Sequence, residues 1–236
     1  MKTSRFALVL LVLATFALPL SAQAKAKISF GSDCTFPPME MLDANKNVIG
    51  FDIDMIKAVA NAAGCEAVIK SVAWDGIFAG LANGEYDAIL SSVTITDERK
   101  GTMDFSTPYV NAGQAIVVPK ATMNISKPED LKGKIVGVQI STTGDIAVGK
   151  IAGVKSKKTY DEIGLAVEDL SIGRLDAVVI DSPVAANYVL QNDKYKAVIK
   201  ISSKPFTDEF YGVAVKKGNA KILDLVNKGL AAIQKD

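Results

Sequence analysis

Hydrophobic and polar positions along the chain alternate between two spacings. Short apolar runs predict buried β-strands at residues 27–31, 67–72 and 86–90. Between the first two, apolar residues recur at helical spacing over residues 53–63, which predicts a helix capped by Asp52 that ends before Gly64. A second helix is predicted at residues 77–82. Strands that alternate with helices in this way indicate an α/β fold with a parallel sheet.

A second run of the same kind follows further along the chain. It predicts strands at residues 134–139, 177–180 and 211–215 and helices at 145–151, 161–171 and 221–234. The two runs share a motif, because residues 84–90 (GEYDAIL) match residues 173–179 (GRLDAVV). In both, a helix ends at Gly and a strand begins with Asp-Ala. The chain is therefore predicted to form two lobes of similar plan, with a cleft for a small molecule between them.

The N-terminal 24 residues have the pattern of a secretory signal peptide. Lys2 and Arg5 precede a short apolar core, and Ala22-Gln23-Ala24 is an A-x-A cleavage site. The pattern predicts export to the periplasm, and no other segment is long and apolar enough for a transmembrane helix.

Composition excludes several classes of function. Removal of residues 1–24 leaves 25 basic and 26 acidic residues, which gives no electrostatic case for binding nucleic acid or an anionic membrane. The chain has no His, which excludes Ser-His-Asp and Cys-His catalysis and the His-based zinc motifs. Cys34 follows the first predicted strand and Cys65 precedes the second, so we expect two free thiols at opposite ends of the sheet.

Polar residues cluster directly after the strand at 86–90. Ser91, Ser92 and Thr94 are followed by Thr96, which is a good helix N-cap, and by Arg99 in the first helical turn. An Arg there opposes the helix dipole, so it indicates a nearby anion such as a ligand carboxylate. The alternative is a surface Arg paired with Asp97 or Asp104.

Other strand ends carry further candidates, each with a purely structural alternative. Thr142 and Thr143 open a helix and either bind an anion or only cap it. Asp181 is either the N-cap of the next helix or, if Ser182 caps, free to face the cleft. Phe36 and Trp74 either fill the core or flank a ligand side chain. Arg99 and Asp181 together would recognise the two charged ends of a zwitterion.

Taken together, these motifs resemble the periplasmic solute-binding proteins of polar amino acid ABC transporters. The resemblance covers the mature chain and is carried by FPPME at 36–40, GFDID at 50–54, WDG at 74–76, TITDER at 94–99, DFSTPY at 104–109, GVQ at 137–139, TTG at 142–144, and DAV at 176–178 followed by Asp181-Ser182-Pro183. It implies a two-lobed periplasmic-binding-protein fold of type II, with two hinge strands. Lobe 1 would comprise residues 25–111 plus 209–236, and lobe 2 residues 112–208.

The resemblance also implies roles for individual residues. Arg99, with the backbone N–H groups of Thr94 and Thr143, would bind the α-carboxylate. Asp181, with Ser91 and Ser92, would bind the α-ammonium. The remaining ligand-binding positions would be Asp33, Phe36, Trp74, Gln139 and Thr142. The chain departs from the pattern at Trp74, where Phe is more usual, and at Gln139, which is Lys in some glutamine binders.

These features predict a monomeric receptor that binds a polar amino acid and docks transiently on a membrane permease, without catalysis, metal or cofactor. Asp33 favours a cationic or amide side chain, so arginine or lysine is favoured and glutamine comes next. One alternative is an enzyme on the same scaffold that resembles cyclohexadienyl or arogenate dehydratases, in which Asp33, Glu40 or Asp181 would be the acid or base. Another is a sensory protein that passes its liganded form to a chemoreceptor.

Overall fold

The computed structural model describes residues 25–234. The predicted signal peptide, residues 1–24, lies outside the described residues. Within residues 25–234, no helix combines the length and the apolar character needed to cross a membrane.

The first large sheet and its helices comprise β1 (Ala26–Ser32), α1 (Phe51–Ala62), β5 (Cys65–Ser71), α2 (Ile77–Asn83), β6 (Ala88–Ile89), α3 (Asp97–Thr102), β7 (Met103–Phe105), β15 (Ala214–Lys216) and α7 (Ala220–Ile233). The five strands lie in the order β5-β1-β6-β15-β7. Strands β1, β5 and β6 are parallel, and β15 runs antiparallel to β6 and β7. Helices α1 and α7 pack together over this sheet, because Gly229 lets α7 approach the backbone of Val59 closely.

The second large sheet and its helices comprise β9 (Gln114–Pro119), a 3-10 turn (Pro128–Leu131), β10 (Ile135–Gln139), α4 (Thr143–Gly149), β11 (Ser156–Tyr160), α5 (Ile163–Ser171), β12 (Ala177–Asp181), α6 (Ser182–Ala186), a π-helical turn (Asn187–Gln191) and β13 (Ile199–Ile201). The sheet repeats the plan of the first, with the strand order β11-β10-β12-β9-β13. Strands β10, β11 and β12 are parallel, and β9 is antiparallel to its neighbours. We refer to the parts of the chain built on the first and second sheets as lobe 1 and lobe 2.

The chain passes between the two large sheets twice, through a small antiparallel pair. This pair consists of β8 (Val110–Ala112) and β14 (Glu209–Tyr211). A further three-stranded sheet, β2 (Thr35–Phe36), β3 (Glu40–Leu42) and β4 (Val48–Ile49), follows β1 and leads into α1. The paired crossings agree with the two predicted hinge strands, while the exact limits of the lobes stay a prediction.

The shared motif at residues 84–90 and 173–179 occupies equivalent places in the two sheets. The Asp87 carboxylate accepts a hydrogen bond from the backbone N–H of Ser29 at 2.7 Å, and the Asp176 carboxylate accepts one from Ile135 at the same distance. Each Asp also donates its own N–H to the carbonyl of the same partner residue. The sequence repeat is therefore a structural repeat that ties the start of β6 to β1 and the start of β12 to β10.

Three local predictions were wrong. The predicted strand at 211–215 is two strands, because β14 belongs to the crossing pair and β15 to the first sheet. The strand predicted at 86–90 is regular only over β6. Helix α1 begins at Phe51 after Gly50, so Asp52 lies inside its first turn and its buried carboxylate bonds elsewhere rather than capping the helix.

Both cysteines are free, as predicted, and both are buried. Strands β1 and β5 are parallel neighbours in which Ala26 is paired with Cys65 and Ser32 with Ser71. Cys65 therefore lies at the start of the two strands and Cys34 beyond their end.

Candidate functional site

The strand-end loops of the two lobes line one cavity. All the ligand-binding positions that the sequence analysis singled out lie on it, together with Glu40: Asp33, Phe36, Trp74, Ser91, Ser92, Thr94, Arg99, Gln139, Thr142, Thr143 and Asp181. Three carboxyl groups, one guanidinium and two aromatic rings therefore face the same space.

Arg99 is held in place by its helix cap and by two carbonyl groups. Thr96 is the N-cap of α3 and accepts the Arg99 N–H at 3.1 Å, as predicted. The guanidinium donates to the backbone carbonyls of Thr94 at 2.9 Å and Ser141 at 3.3 Å. It also lies over the rings of Trp74 and Phe78, 5.6 Å and 5.0 Å from their centroids.

The alternative interpretation of Arg99 as a surface ion-pair partner does not hold. Asp97 pairs with Lys100, and Asp104 pairs with Lys217 at 2.7 Å. Within residues 25–234, Arg99 forms no ion pair of 4.0 Å or less. Its burial lowers the pKa of the guanidinium from its ordinary value, which is the effect expected of a cation without a counter-ion.

Asp181 faces Arg99 from lobe 2 at the end of β12. Its carboxylate accepts hydrogen bonds from the Tyr211 hydroxyl at 2.6 Å and from Gln114 Nε2 at 2.7 Å. The prediction that Ser182 caps α6 was wrong, since α6 begins at Ser182 and Asp181 holds the N-cap position. The Asp181 side chain nevertheless makes no capping bond, because Tyr211 and Gln114 draw it towards the cavity. Burial raises the pKa of Asp181 from 3.8 to about 6.

The turn after β6 presents Ser91 and Ser92 to the cavity. Ser92 has a positive φ of 48°, an unusual conformation for a side-chain-bearing residue. Its N–H donates to Asp52 Oδ2 at 2.8 Å, and the Ser91 hydroxyl donates to Glu40 Oε1 at 2.9 Å. Two buried carboxyl groups thus hold this turn from behind.

Asp33 and Gln139 join the two lobes across the cavity. Gln139 Nε2 donates to Asp33 Oδ2 at 3.0 Å, and the hydroxyl of Thr35 donates to Asp33 Oδ1 at 2.7 Å. Burial raises the pKa of Asp33 from its ordinary value, and these hydrogen bonds oppose the shift. The Asp33 carboxylate therefore needs a hydrogen-bond donor to stay ionised in this buried place. Gln139 is one such donor here, and a ligand group could be another.

Thr142 and Thr143 have separate tasks. Thr142 is the N-cap of α4 and accepts the N–H of Asp145 at 3.2 Å. It also lines the cavity, and its binding of a ligand anion stays a prediction. The hydroxyl of Thr143 lies 3.4 Å from that of Thr94 in the other lobe. Both hydroxyls donate to Glu209 Oε2, at 2.6 Å and 3.1 Å, so Glu209 connects the lobes on this side of the cavity.

Phe36 and Trp74 fill space in the core and also line the cavity. Phe36 is half-buried against the lobe 2 core, and Trp74 packs edge-on against Phe78 with centroids 5.2 Å apart. Trp74 is 8% exposed, and its indole N–H has no acceptor in the part of the chain that the structure describes. Both residues thus fill core space, and their contact with a ligand side chain stays a prediction.

Sequence reasoning missed the residues that support the site from behind. Glu209 and Tyr211 lie in the crossing strand β14, and Gln114 begins β9 just after β8. Their polar side chains carry no local pattern that separates them from ordinary strand residues. Glu40 was considered only as a possible acid of an enzyme. Its buried place was detectable from its position directly after the FPPM segment that leads into β3.

Two α/β lobes joined by paired crossing strands, with a polar cavity between them, define a two-lobed receptor for a small solute. The sequence matches the family described as bacterial extracellular solute-binding proteins, family 3, over residues 28–236. The chain belongs to this family.

Named relatives share the same architecture and bind different amino acids. The chain is 40% identical over 206 residues to a probable histidine-binding protein of Neisseria gonorrhoeae, covering 86% of this chain and 76% of the relative. The arginine-bound form of truncated ArgBP from T. maritima superposes with a TM-score of 0.82 at 40% identity, covering 88% of this chain and 96% of the other. An ancestral amino acid-binding protein, a precursor of cyclohexadienyl dehydratase, superposes with a TM-score of 0.82 at 37% identity, covering 89% and 91%.

The comparisons establish the general class of function. The chain is a two-lobed solute-binding protein of the type that serves amino acid ABC transporters, and this family acts outside the cytoplasm.

Proposed function

We propose that this protein is a periplasmic receptor for a polar L-amino acid, which it delivers to an ABC permease. Arginine or lysine is favoured, and glutamine comes next. The observation that carries the proposal is that Arg99 and Asp181 line one buried cavity, while neither forms an ion pair within residues 25–234. Unpaired buried charges are costly, so two of opposite sign indicate a zwitterionic ligand.

The α-amino acid core of the ligand would take up both charges. Its carboxylate would pair with Arg99, for which a guanidinium offers two parallel N–H groups. Its ammonium would pair with Asp181 and would also reach the Ser91 carbonyl and the Ser92 hydroxyl. Tyr211 and Gln114 already fix the Asp181 carboxylate, so little side-chain ordering remains to be done on binding.

The ligand side chain would extend between Phe36 and Trp74 towards Asp33. Aromatic faces attract a guanidinium or ammonium group, and the Asp33 carboxylate supplies a counter-charge. Gln139 donates to Asp33 here, and a cationic head group would share or replace that hydrogen bond. An acidic side chain would meet repulsion from Asp33, so glutamate and aspartate are excluded by the same group.

Binding would be coupled to closure of the lobes. We place lobe 1 at residues 25–111 plus 209–236 and lobe 2 at 112–208, with the hinge at β8 and β14. Asp33–Gln139, Arg99–Ser141 and the contacts of Glu209 connect the lobes around the cavity. A ligand that touches both lobes stabilises this arrangement, and a permease can recognise the closed monomer.

A thermal-shift scan of the mature protein against the twenty amino acids plus ornithine and citrulline tests the proposal. Stabilisation follows RT ln(1 + [L]/Kd), so arginine or lysine should give the largest rise in melting temperature. A shift with glutamate or aspartate alone would show that the role given to Asp33 is wrong. No shift with any amino acid would contradict the proposal as a whole.

A dehydratase is the second candidate, because one of the structural neighbours is a precursor of cyclohexadienyl dehydratase. In a chain without His, the proton-transferring group would be Asp33, Glu40 or Asp181. Incubation with prephenate or arogenate separates the two functions. Release of an aromatic product would establish the enzyme, while unchanged substrate supports the receptor.

A further inference from the structure

Two carboxyl groups are buried side by side behind the Ser91–Ser92 turn. Glu40 and Asp52 are both 0% exposed. Neither has a Lys or Arg within 4.0 Å in the described range 25–234. Two ionised carboxylates in one dry site without a cation repel each other strongly, so the pair must retain a proton.

The hydrogen bonds indicate which carboxyl group carries this proton. Asp52 Oδ2 accepts from the Ser92 N–H and from the Tyr109 hydroxyl, both at 2.8 Å, which favours the ionised form of Asp52. Glu40 has only hydroxyl donors, Ser91 at 2.9 Å and Ser92 at 3.5 Å. Among the described residues, the other Asp52 oxygen, Oδ1, is buried without a donor. A Glu40 carboxylic acid would supply the missing donor.

The charges of neighbouring elements point the same way. Glu40 is influenced by Asp52 on α1 and by Asp33 after β1, both anionic. Tyr109, before β8, also packs against this pair. Burial raises the pKa of Glu40 well above its ordinary value, and repulsion from Asp52 adds to the shift.

We propose that Glu40 is a positioning residue of the ligand site, a neutral carboxylic acid at pH 7 whose O–H donates a hydrogen bond to Asp52. Through this bond and the Ser91 hydroxyl, the pair fixes the strained Ser91–Ser92 turn on which the ligand ammonium rests. The inference builds on the amino acid site proposed above, and it adds a proton that the site must hold.

A neutral Glu40 also sets the charge that the ligand must bring. Three carboxyl groups and one guanidinium line the cavity. With Glu40 neutral, Asp33 and Asp181 remain, and a cationic amino acid matches them with its side chain and its α-ammonium while its carboxylate meets Arg99. With Glu40 ionised, one further buried anion would be left without a partner.

The substitution Glu40→Gln tests the inference because glutamine reproduces a neutral group that donates to Asp52 and accepts from Ser91. Calorimetric titration with L-arginine at pH 7 should give a Kd for Glu40→Gln within about threefold of the wild type. Glu40→Ala should bind about tenfold or more weakly, since Asp52 Oδ1 and the Ser91 hydroxyl lose their partner. Glu66→Gln, at an exposed surface carboxylate, is the matched control.

The pH profile separates this role from a merely structural one. Wild-type affinity should fall as the pH rises and Glu40 loses its proton, whereas the affinity of Glu40→Gln should stay flat over that part of the profile. Coincident profiles, or equal losses for Glu40→Gln and Glu40→Ala, would overturn the inference while leaving the receptor function intact.

An infrared spectrum of the ligand-free protein provides a readout that needs no ligand. At pH 7 the wild type should show the carbonyl stretch of a protonated carboxylic acid, and this band should be much weaker in Glu40→Gln and unchanged in Glu66→Gln. An identical band in wild type and Glu40→Gln would refute the proposal even if arginine proved not to be the ligand.

Discussion

At the scale of single residues, Arg99 shows what one misplaced charge can reveal. A cation in the first turn of a helix opposes the helix dipole, and the sequence gives no local reason for it. The structure shows that its obvious surface partners are already paired with lysines. Two carbonyl groups hold the guanidinium in this unfavourable position, and the ligand carboxylate that we propose would supply the missing counter-charge.

Replacing Arg99 by Ala should weaken amino acid binding by roughly 30- to 4,000-fold. The basis is that removing one partner of a buried, hydrogen-bonded ion pair costs ~2–5 kcal/mol. Calorimetric titration measures the change. Arg174→Ala is the control, since Arg174 is an exposed arginine paired with Asp169. The Arg174→Ala variant should bind the amino acid with the affinity of the wild type. An Arg99→Ala variant with wild-type affinity would contradict the zwitterion model.

Asp181 should make the ligand-free protein less stable as the pH rises. The folded state holds its proton up to a pKa of about 6, whereas the unfolded chain releases it near 3.8. A carboxyl group whose pKa is raised by folding stabilises the protein fully below the pKa of the unfolded chain. This stabilisation is lost as the pH rises through the pKa of the folded state. Melting temperatures between pH 4 and pH 8 should therefore fall more steeply in the wild type than in Asp181→Asn.

Burial also raises the pKa of Asp52 to about 6, and Asp52 is present in both the wild type and Asp181→Asn. The difference between their two plots of melting temperature against pH thus isolates the contribution of Asp181. A variant whose curve runs parallel to that of the wild type would show that Asp181 is ionised throughout this range.

At the scale of elements, the hydrophobic pattern predicted most helices and strands because each buries one face against its own sheet. The boundary errors arise where a residue serves a distant partner. Asp52 has the sequence position of a helix cap, but Ser92 and Tyr109 provide better donors for its carboxylate. The split between β14 and β15 escaped prediction because the buried apolar run at residues 211–215 continues across a change of sheet.

The repeated strand motif depends on close contact with the parallel strand beside it, β1 in the first sheet and β10 in the second. A Cβ on Gly31 would lie 2.7 Å from the ring of Tyr86, just before the repeated Asp-Ala. We expect Gly31→Ala to lower the free energy of unfolding by about 1–3 kcal/mol through overpacking. Urea unfolding measures it. Gly101→Ala, in α3 with open space around the new Cβ, should be neutral or stabilising; equal losses in both would count against this explanation.

At the scale of the whole molecule, the sequence located the walls of the cavity but not what holds them together. Strand-end loops are found from local pattern, so all the predicted cavity residues lie where expected. Gln114, Glu209 and Tyr211 depend on how the crossing strands bring the lobes together. That arrangement has no signature in local spacing, because these residues contact partners about 30 to 115 positions away.

The placement of Trp74 has an optical consequence. It is the single tryptophan of the chain. Its ring lies against the guanidinium of Arg99 and lines the cavity, with no acceptor for its N–H in the described part of the chain. All indole emission therefore originates at the site where the lobes meet. Arrival of a ligand should change both the intensity and the wavelength of that emission, so the unlabelled protein would act as its own fluorescent indicator.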